Sequence, residues 1–309
     1  MLGMDELDFI ITDVLEENPR ASYREMAEKS GLSINSVHKR VQYLLDVGNI
    51  VGFYAILGPA VEKYVIATAL GKTRTNDLEA TVEEIGKDER TSQVIVATND
   101  YIYPQWYMRD ISELDDFMAF ARNVAQMESP EVVFRTPQPP PGHGPVKLSG
   151  LDYRIINSLR HDARKPAKQV AEELAVSSKT VHKHLERMRQ EGSVILLTQY
   201  RANATPDIFS LIHMKISRSA DRRELSAYLT DTYKPHLLGV QMIESEPYLF
   251  VSNLWTKTLK ELKDLRTSIE REEAIESVEV NVFSDFQRFD TWRDDLVVQR
   301  AAQAARRSR

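Results

Sequence analysis

At 309 residues, 42% of them hydrophobic and 28% charged, the chain has room for about two ordinary domains and the composition of a folded protein with a wet surface. It contains no cysteine, which excludes disulfides, thiolate catalysis and cysteine zinc sites. The net charge is −6, there is no run of about 18 apolar residues that would span a bilayer, and no basic-then-apolar segment opens the chain. A cytoplasmic protein without a membrane partner is therefore expected.

The first helical pattern runs from Asp5 to Glu17 and stops at Asn18-Pro19, a pair that disfavours continuation. Ser22 and Glu25 have the spacing of a capping box, which starts a short second helix through Lys29. Gly31 can adopt the left-handed conformation that ends it, and Ser33 can cap a third helix. Two short helices joined this way make a helix-turn-helix. On the third, Ile34, Val37, Val41, Leu44 and Leu45 recur at helical spacing and should pack inward. The opposite face carries Asn35, Ser36, Lys39, Gln42 and Tyr43. Gly48 ends the helix, and Ile50–Leu57 reads as a short strand or wing.

From there the pattern alternates. Strands are predicted at 64–71, 91–98, 101–108 and 131–135, with helices at 77–85 and 112–126. That order is βαββαβ, a sheet with helices on one face. The other face is apolar and needs a partner, and a second copy within the chain is the simplest one. Residues 136–145 carry Pro137, Pro139, Pro140, Pro141 and Pro145, which predicts a stiff linker; a docking motif for a proline-reading domain is the alternative.

Leu7–Phe53 then recurs without a gap at Leu151–Leu197. Twelve of the 47 pairs, each 144 residues apart, are identical: Leu7, Asp8, Ile11, Leu15, Arg20, Ala27, Glu28, Ser33, Val37, His38, Lys39 and Gly48 with their counterparts. A repeat this long is one module used twice. The helix face equivalent to Asn35–Tyr43 reads Lys179, Thr180, Lys183, Glu186 and Arg187, and Val194–Tyr200 is the second short strand. The second βαββαβ is predicted at 209–216, 222–230, 236–243, 248–255, 257–271 and 277–283. Residues 287–309 form a helix ending in Arg306, Arg307 and Arg309, either a frayed tail or an added contact to a DNA backbone. The copies differ in charge: 149–200 holds nine basic and six acidic residues, whereas 1–53 holds five and nine.

A helix-turn-helix, a short strand and then βαββαβ resembles the Lrp/AsnC (feast/famine) family of transcription regulators. The matching residues are Leu7-Asp8, Ile11, Leu15, Arg20-Ala21-Ser22, Met26-Ala27-Glu28, Gly31-Leu32-Ser33, Val37, Arg40-Val41 and Gly48-Asn49-Ile50. The second half repeats them as Leu151-Asp152-Tyr153, Val170-Ala171-Glu172, Val176-Ser177, Val181 and Gly192. The resemblance implies an α+β fold in which two winged helix-turn-helix domains (1–54 and 149–200) alternate with two ferredoxin-like βαββαβ domains of the effector type (55–136 and 201–284). A linker at 137–148 and a basic tail at 285–309 complete the pseudo-two-fold plan. It implies double-stranded DNA as partner, a small-molecule effector, and homo-oligomerisation through the sheets. The family's effector loop corresponds to Asn99, Asp100 and Tyr101 in the first half and to Ser245 and Tyr248, within 244–248, in the second. The glycine usual in that loop is absent from both, which argues against a response to a free amino acid.

The N-terminal residues of a recognition helix reach base edges while flanking groups hold phosphate. Asparagine suits adenine and lysine suits guanine. Asn35, Ser36 and Lys39, and Lys179, Thr180 and Lys183, are therefore the expected base readers, with Arg40 and Arg187 on phosphate. His182 and His184 lie two apart and point to different faces of a helix, so with His38 they make no metal site; His213 reads as a satisfied sheet imidazole. Trp106, Trp255 and Trp292 read as packing residues, and Glu16-Glu17, Glu83-Glu84 and Glu172-Glu173 as helix surface. No phosphate loop, dinucleotide fingerprint, HExxH or nucleophile elbow occurs, so no catalytic residue, metal or cofactor is assigned and a binding protein is expected. The alternative is an enzyme: the sirohaem decarboxylases of haem biosynthesis resemble the same family and use paired halves without those motifs.

Overall fold

The computed structural model describes residues 3–201, 204–243 and 245–307; Glu244 and Arg309 lie outside them. In the first repeat α1 (Glu6–Glu17) buries Phe9, Ile11, Val14 and Leu15 and ends at Asn18-Pro19. α2 (Tyr23–Ser30) is capped by Ser22, whose hydroxyl accepts the Glu25 amide, and α3 (Ile34–Asp46) by Ser33, which accepts the Ser36 amide. β1 (Ile50–Leu57) follows. Then come β2 (Val65–Lys72), α4 (Leu78–Ile85), β3 (Thr91–Ala97), β4 (Tyr101–Met108), α5 (Leu114–Asn123) and β5 (Glu131–Arg135). Of the helix expected over 112–126, α5 forms Leu114–Asn123, preceded by a short 3-10 turn at Ile111–Glu113.

The second repeat opens with α6 (Gly150–Leu159), where Ser149 and Asp152 complete a reciprocal capping box. α7 (Ala167–Leu174) and α8 (Ser178–Gln190) follow, then β6 (Val194–Tyr200). The sheet elements are β7 (Ile208–Ile216), α9 (Arg222–Thr232), β8 (Leu237–Met242), β9 (Leu249–Thr256), α10 (Leu259–Glu270) and β10 (Ile275–Arg288). The last helix is α11 (Trp292–Arg307).

These elements sort into two compact units, each drawing on both repeats. One holds Leu7–Tyr64, Thr136–Tyr200 and the residues from Asp290 on; the other holds Val65–Arg135, Arg201–Phe289 and the first residues up to Glu6. The units therefore do not follow the sequence order of the repeats. β1, the linker and the C-terminal helix all belong with the helix-turn-helices.

In the helical unit β1 and β6 do not form wings of their own. They pair with each other, antiparallel, with Phe53 opposite Thr198 and Leu57 opposite Val194. Each is an edge strand with unpaired peptide groups, and the other copy supplies the missing ladder. Two arginines, 144 residues apart, close the junction reciprocally. Arg20 donates from Nη1 to the carbonyls of Ala163 and Lys165, the latter at 3.0 Å. Arg164 donates to Pro19 and Ala21 at 2.7 and 3.1 Å. The C-terminal helix is docked, not frayed: Val297 and Ala301 are buried, and Arg293 lies 3.6 Å above the Tyr64 ring while donating to the Leu57 carbonyl. It packs on α6 closely enough that a Cβ on Gly150 would sit 2.7 Å from that of Ala304. Residues 136–145 are coil, and Val146 donates to the Ala60 carbonyl at 2.7 Å.

In the sheet unit eight antiparallel strands run β5-β2-β4-β3-β10-β7-β9-β8. β10 continues past the 284 boundary expected for its domain because its second half has a different neighbour. Ile275–Val282 pairs with β7, and Phe283–Arg288 with β3 of the first repeat. Each half keeps its own helix-covered core, around Trp106 and Phe117 in one and around Phe250 and Ile269 in the other. The opposite faces share a third core, in which Leu70, Tyr103 and Val133 meet Leu211, Leu249 and Val251. The faces expected to mate do so, and the two sheets are also joined edge to edge.

The turn between the second and third helices of each module shows how local chemistry diverged. Gly31 takes φ +72° with nothing near its missing Cβ. Its counterpart Ala175 is held at φ +55°, where an L side chain is disfavoured by about 1–2 kcal/mol. Ala175→Gly is expected to stabilise the chain by about 0.5–1 kcal/mol, the relief of strain exceeding the added unfolded-state entropy. Denaturant titration of the two proteins measures it, and a loss of stability would contradict the strain.

Candidate nucleic-acid interface

The third helix of each module, α3 and α8, presents an outward stripe. Asn35, His38, Lys39 and Gln42 are exposed on the first, and Lys179, His182, Lys183 and Glu186 on the second. The inward faces are Val37, Val41 and Leu44, and Val181, Leu185 and Met188. Ile34, expected to pack inward, is 51% exposed. As the first residue of its helix it precedes the turn that meets the core. Leu45 is half-buried. Ser36 and Thr180 sit at the expected place with their hydroxyls already engaged, 2.9 Å from Ser33 Oγ and 2.8 Å from Ser177 Oγ. Their second lone pairs leave them able to accept as well as rotate, so they remain available to a base edge.

Both arginines expected on phosphate have carboxylate partners within their own module. Arg40 Nη1 lies 2.7 Å from Asp8 Oδ1, whose side chain is buried. Arg187 Nη2 lies 2.5 Å from Asp152 Oδ1, and its Nη1 is 3.2 Å from Glu191. His184 Nδ1 approaches the same Asp152 oxygen at 2.7 Å. A carboxylate removed from water requires such partners, and that requirement draws the cations inward. Burial alone would raise the Asp152 pKa, but hydrogen bonds from His184, Ser149 and Arg187 outweigh it and hold the group below the usual carboxylate range. The signal was in the sequence: Asp8 and Asp152 are among the identical pairs, on otherwise apolar helix faces. Among the described residues no three of His, Asp or Glu gather as metal ligands, and no helix is long and apolar enough to cross a membrane.

Residues 4–45 match the model of the AsnC-type helix-turn-helix domain, and 148–194 match that of a winged helix-turn-helix DNA-binding domain. The HTH-type transcriptional regulator LrpA of Pyrococcus horikoshii is 30% identical over 118 residues, 38% of this chain and 84% of the relative. The HTH-type transcriptional regulator Ptr1 of Methanocaldococcus jannaschii is 27% identical over 118 residues, 38% of this chain and 80% of that one. The chain belongs to the Lrp/AsnC family. Its whole-length architecture is also found in the crystal structure of the siroheme decarboxylase NirDL, with a TM-score of 0.58 at 15% identity, covering 97% of this chain and 100% of that one. At that identity the likeness is one of fold.

The five residues that the resemblance assigns to an effector loop have different occupations. Asn99 and Asp100 have φ +61° and +62° and form the tight turn between β3 and β4, a backbone reason for those two residue types. Tyr101 lies on the shared inner face, stacked 6.0 Å from Tyr103, and burial with the Glu279 carboxylate pushes its pKa up to about 12. Ser245 Oγ accepts the Phe134 amide at 3.0 Å, and Tyr248 is exposed with Arg218 5.6 Å from its ring. On the inner face the sequence reading missed a polar group. Asn281, 1% exposed, donates to Tyr103 Oη at 3.0 Å, while its Oδ1 has no partner. His213 stands edge-on to Tyr103 at 5.7 Å, and its Nε2 is buried and unpartnered, contrary to the satisfied imidazole expected. Burial pushes its pKa down against the pull of Glu279.

Asp152→Asn is expected to destabilise the chain at neutral pH by about 1–3 kcal/mol. The native carboxyl titrates below its unfolded value of about 3.9, so its stabilisation is complete above that value and is lost as pH falls through the native pKa. The gap between the two proteins should therefore close below about pH 4. Urea unfolding at pH 7 and pH 3 measures it, and a gap of unchanged size in acid would refute the assignment.

Proposed function

We propose that this chain is a sequence-specific DNA-binding transcription regulator that works as a pseudo-dimer within one polypeptide, by binding and without catalysis. The observation that carries the reading is the reciprocal clasp of Arg20 and Arg164 with the β1–β6 ladder. It ties two helix-turn-helices into one unit while α3 and α8 keep their polar stripes exposed. Two helices related this way suit two half-sites on one duplex. The stripes differ, with asparagine and one lysine against two lysines, so the operator is asymmetric. With the arginines paired, the exposed stripes carry Lys39 on one side and Lys179 and Lys183 on the other, set in modules of opposite net charge.

Lys183→Ala is therefore expected to weaken binding several-fold more than Lys39→Ala, measured by fluorescence-anisotropy titration of a genomic promoter duplex at fixed salt. Equal losses would contradict the asymmetry, and no binding by the unmodified chain would remove the reading.

A second reading is favoured by two observations: the fold shared end to end with a decarboxylase, and the buried group around Tyr103, His213 and Asn281 with unpartnered polar atoms. A buried polar atom without a partner calls for an explanation, and a catalytic or ligand-binding role is one. Titration with the iron tetrapyrrole followed by absorbance separates the readings. Stoichiometric saturation with spectral shift would favour the enzyme; an unperturbed spectrum is expected here.

A further inference from the structure

One residue on the outward stripe is explained neither by the core nor by polar recognition. Ile34 is the first residue of α3 and 51% exposed, whereas the core positions of that helix are filled by Val37, Val41 and Leu44. A β-branched residue there gains little as a helix former. Ile34 and His38 lie one turn apart, beside Asn35 and Lys39, so all four share the outer surface. The sister helix repeats the stripe as Ser178, Lys179, His182 and Lys183. The second pair is identical in the two copies, and the first pair is exchanged: isoleucine-asparagine against serine-lysine. The copies thus differ at the end of the helix that enters a groove first.

In the major groove an apolar side chain has one complement, the C5-methyl group of thymine, just as asparagine has adenine and lysine has guanine. We propose that Ile34 packs on a thymine methyl, making the first module a reader of an A·T-rich half-site while the second, with Ser178 and Lys179, reads a guanine-bearing one. This rests on the DNA-binding reading above and deepens it by assigning base composition to each half of the operator. Because both helices belong to one clasped unit, the two half-sites occur in a fixed order and the operator has a direction.

The test uses the full chain. Bound duplexes are selected from a random pool, and each thymine of the recovered site is replaced singly by 2′-deoxyuridine, which deletes only the methyl. The unmodified protein should lose roughly three- to fivefold at one thymine of the A·T-rich half-site, the worth of a buried methyl contact. Ile34→Ser, which installs the sister helix's residue at an exposed position, should abolish that loss and leave the guanine preference of the other half-site unchanged. The retained preference shows that the variant is folded. Enriched sites that tolerate every uracil in the unmodified protein would overturn the Ile34 assignment alone, and so would an unchanged uracil effect in Ile34→Ser. A pool with no enriched sequence would overturn both this assignment and the DNA-binding reading.

Discussion

Two guanidinium groups clasp the helical unit where its two modules meet. Arg20 and Arg164 occupy the same place in the two modules and each reaches into the other's turn, where peptide carbonyls would otherwise end in the junction. Burial pushes both guanidinium pKa values down, so the carbonyl dipoles must compensate for lost hydration. Arg164 also lies over the Phe53 and Tyr23 rings, 5.2 and 5.7 Å from their centres. With the clasp closed, the β1–β6 ladder satisfies the two strand edges and the modules become a single body.

Duplication left the two modules with one plan and different solutions to the same electrostatic problem. Each buries an aspartate at the start of its first helix. The first copy pairs it with Arg40, the second with Arg187 and a hydrogen bond to the His184 ring. The second copy has His184 where the first has Arg40, and its arginine stands three residues along, one turn of helix away, at a position that also faces the carboxylate. The inward demand for positive charge explains why the exposed stripes present lysines. Lysine, a point charge on a long stem, stays where water solvates it, while the arginines go where several acceptors converge.

Much of the fold was legible because its signals are local. Helix starts at Ser22 and Ser33, helix ends at Pro19 and Gly31, and strand-helix alternation depend on a few neighbouring residues and hold in the structure. The buried faces of α3 and α8 followed from spacing, except at Ile34, where a helix end escapes the periodicity. Of the candidate site, Asn35, Lys39, Lys179 and Lys183 are exposed as their pattern implied. The ion pairs of Arg40 and Arg187 reach aspartates 32 and 35 residues earlier, a proximity that spacing along one helix does not encode. The polar group on the inner sheet face was hidden for the same reason: Tyr103, His213 and Asn281 are far apart in the chain, and each sits in an ordinary strand.

What the amino-acid sequence determined by itself is the module, its duplication and the unlike chemistry of the two outward helices, since these follow from short-range periodicity and from comparing residues 144 positions apart. What only the tertiary structure decided is how the copies combine. Strand edges take their partners across repeats, so β1 joins β6 and β10 joins β3. The chain consequently divides into one unit of helices and one of sheets, not into the two halves in which it is written. Edge peptide groups and buried charges must find partners wherever three-dimensional proximity offers them, and no spacing along the chain encodes that proximity.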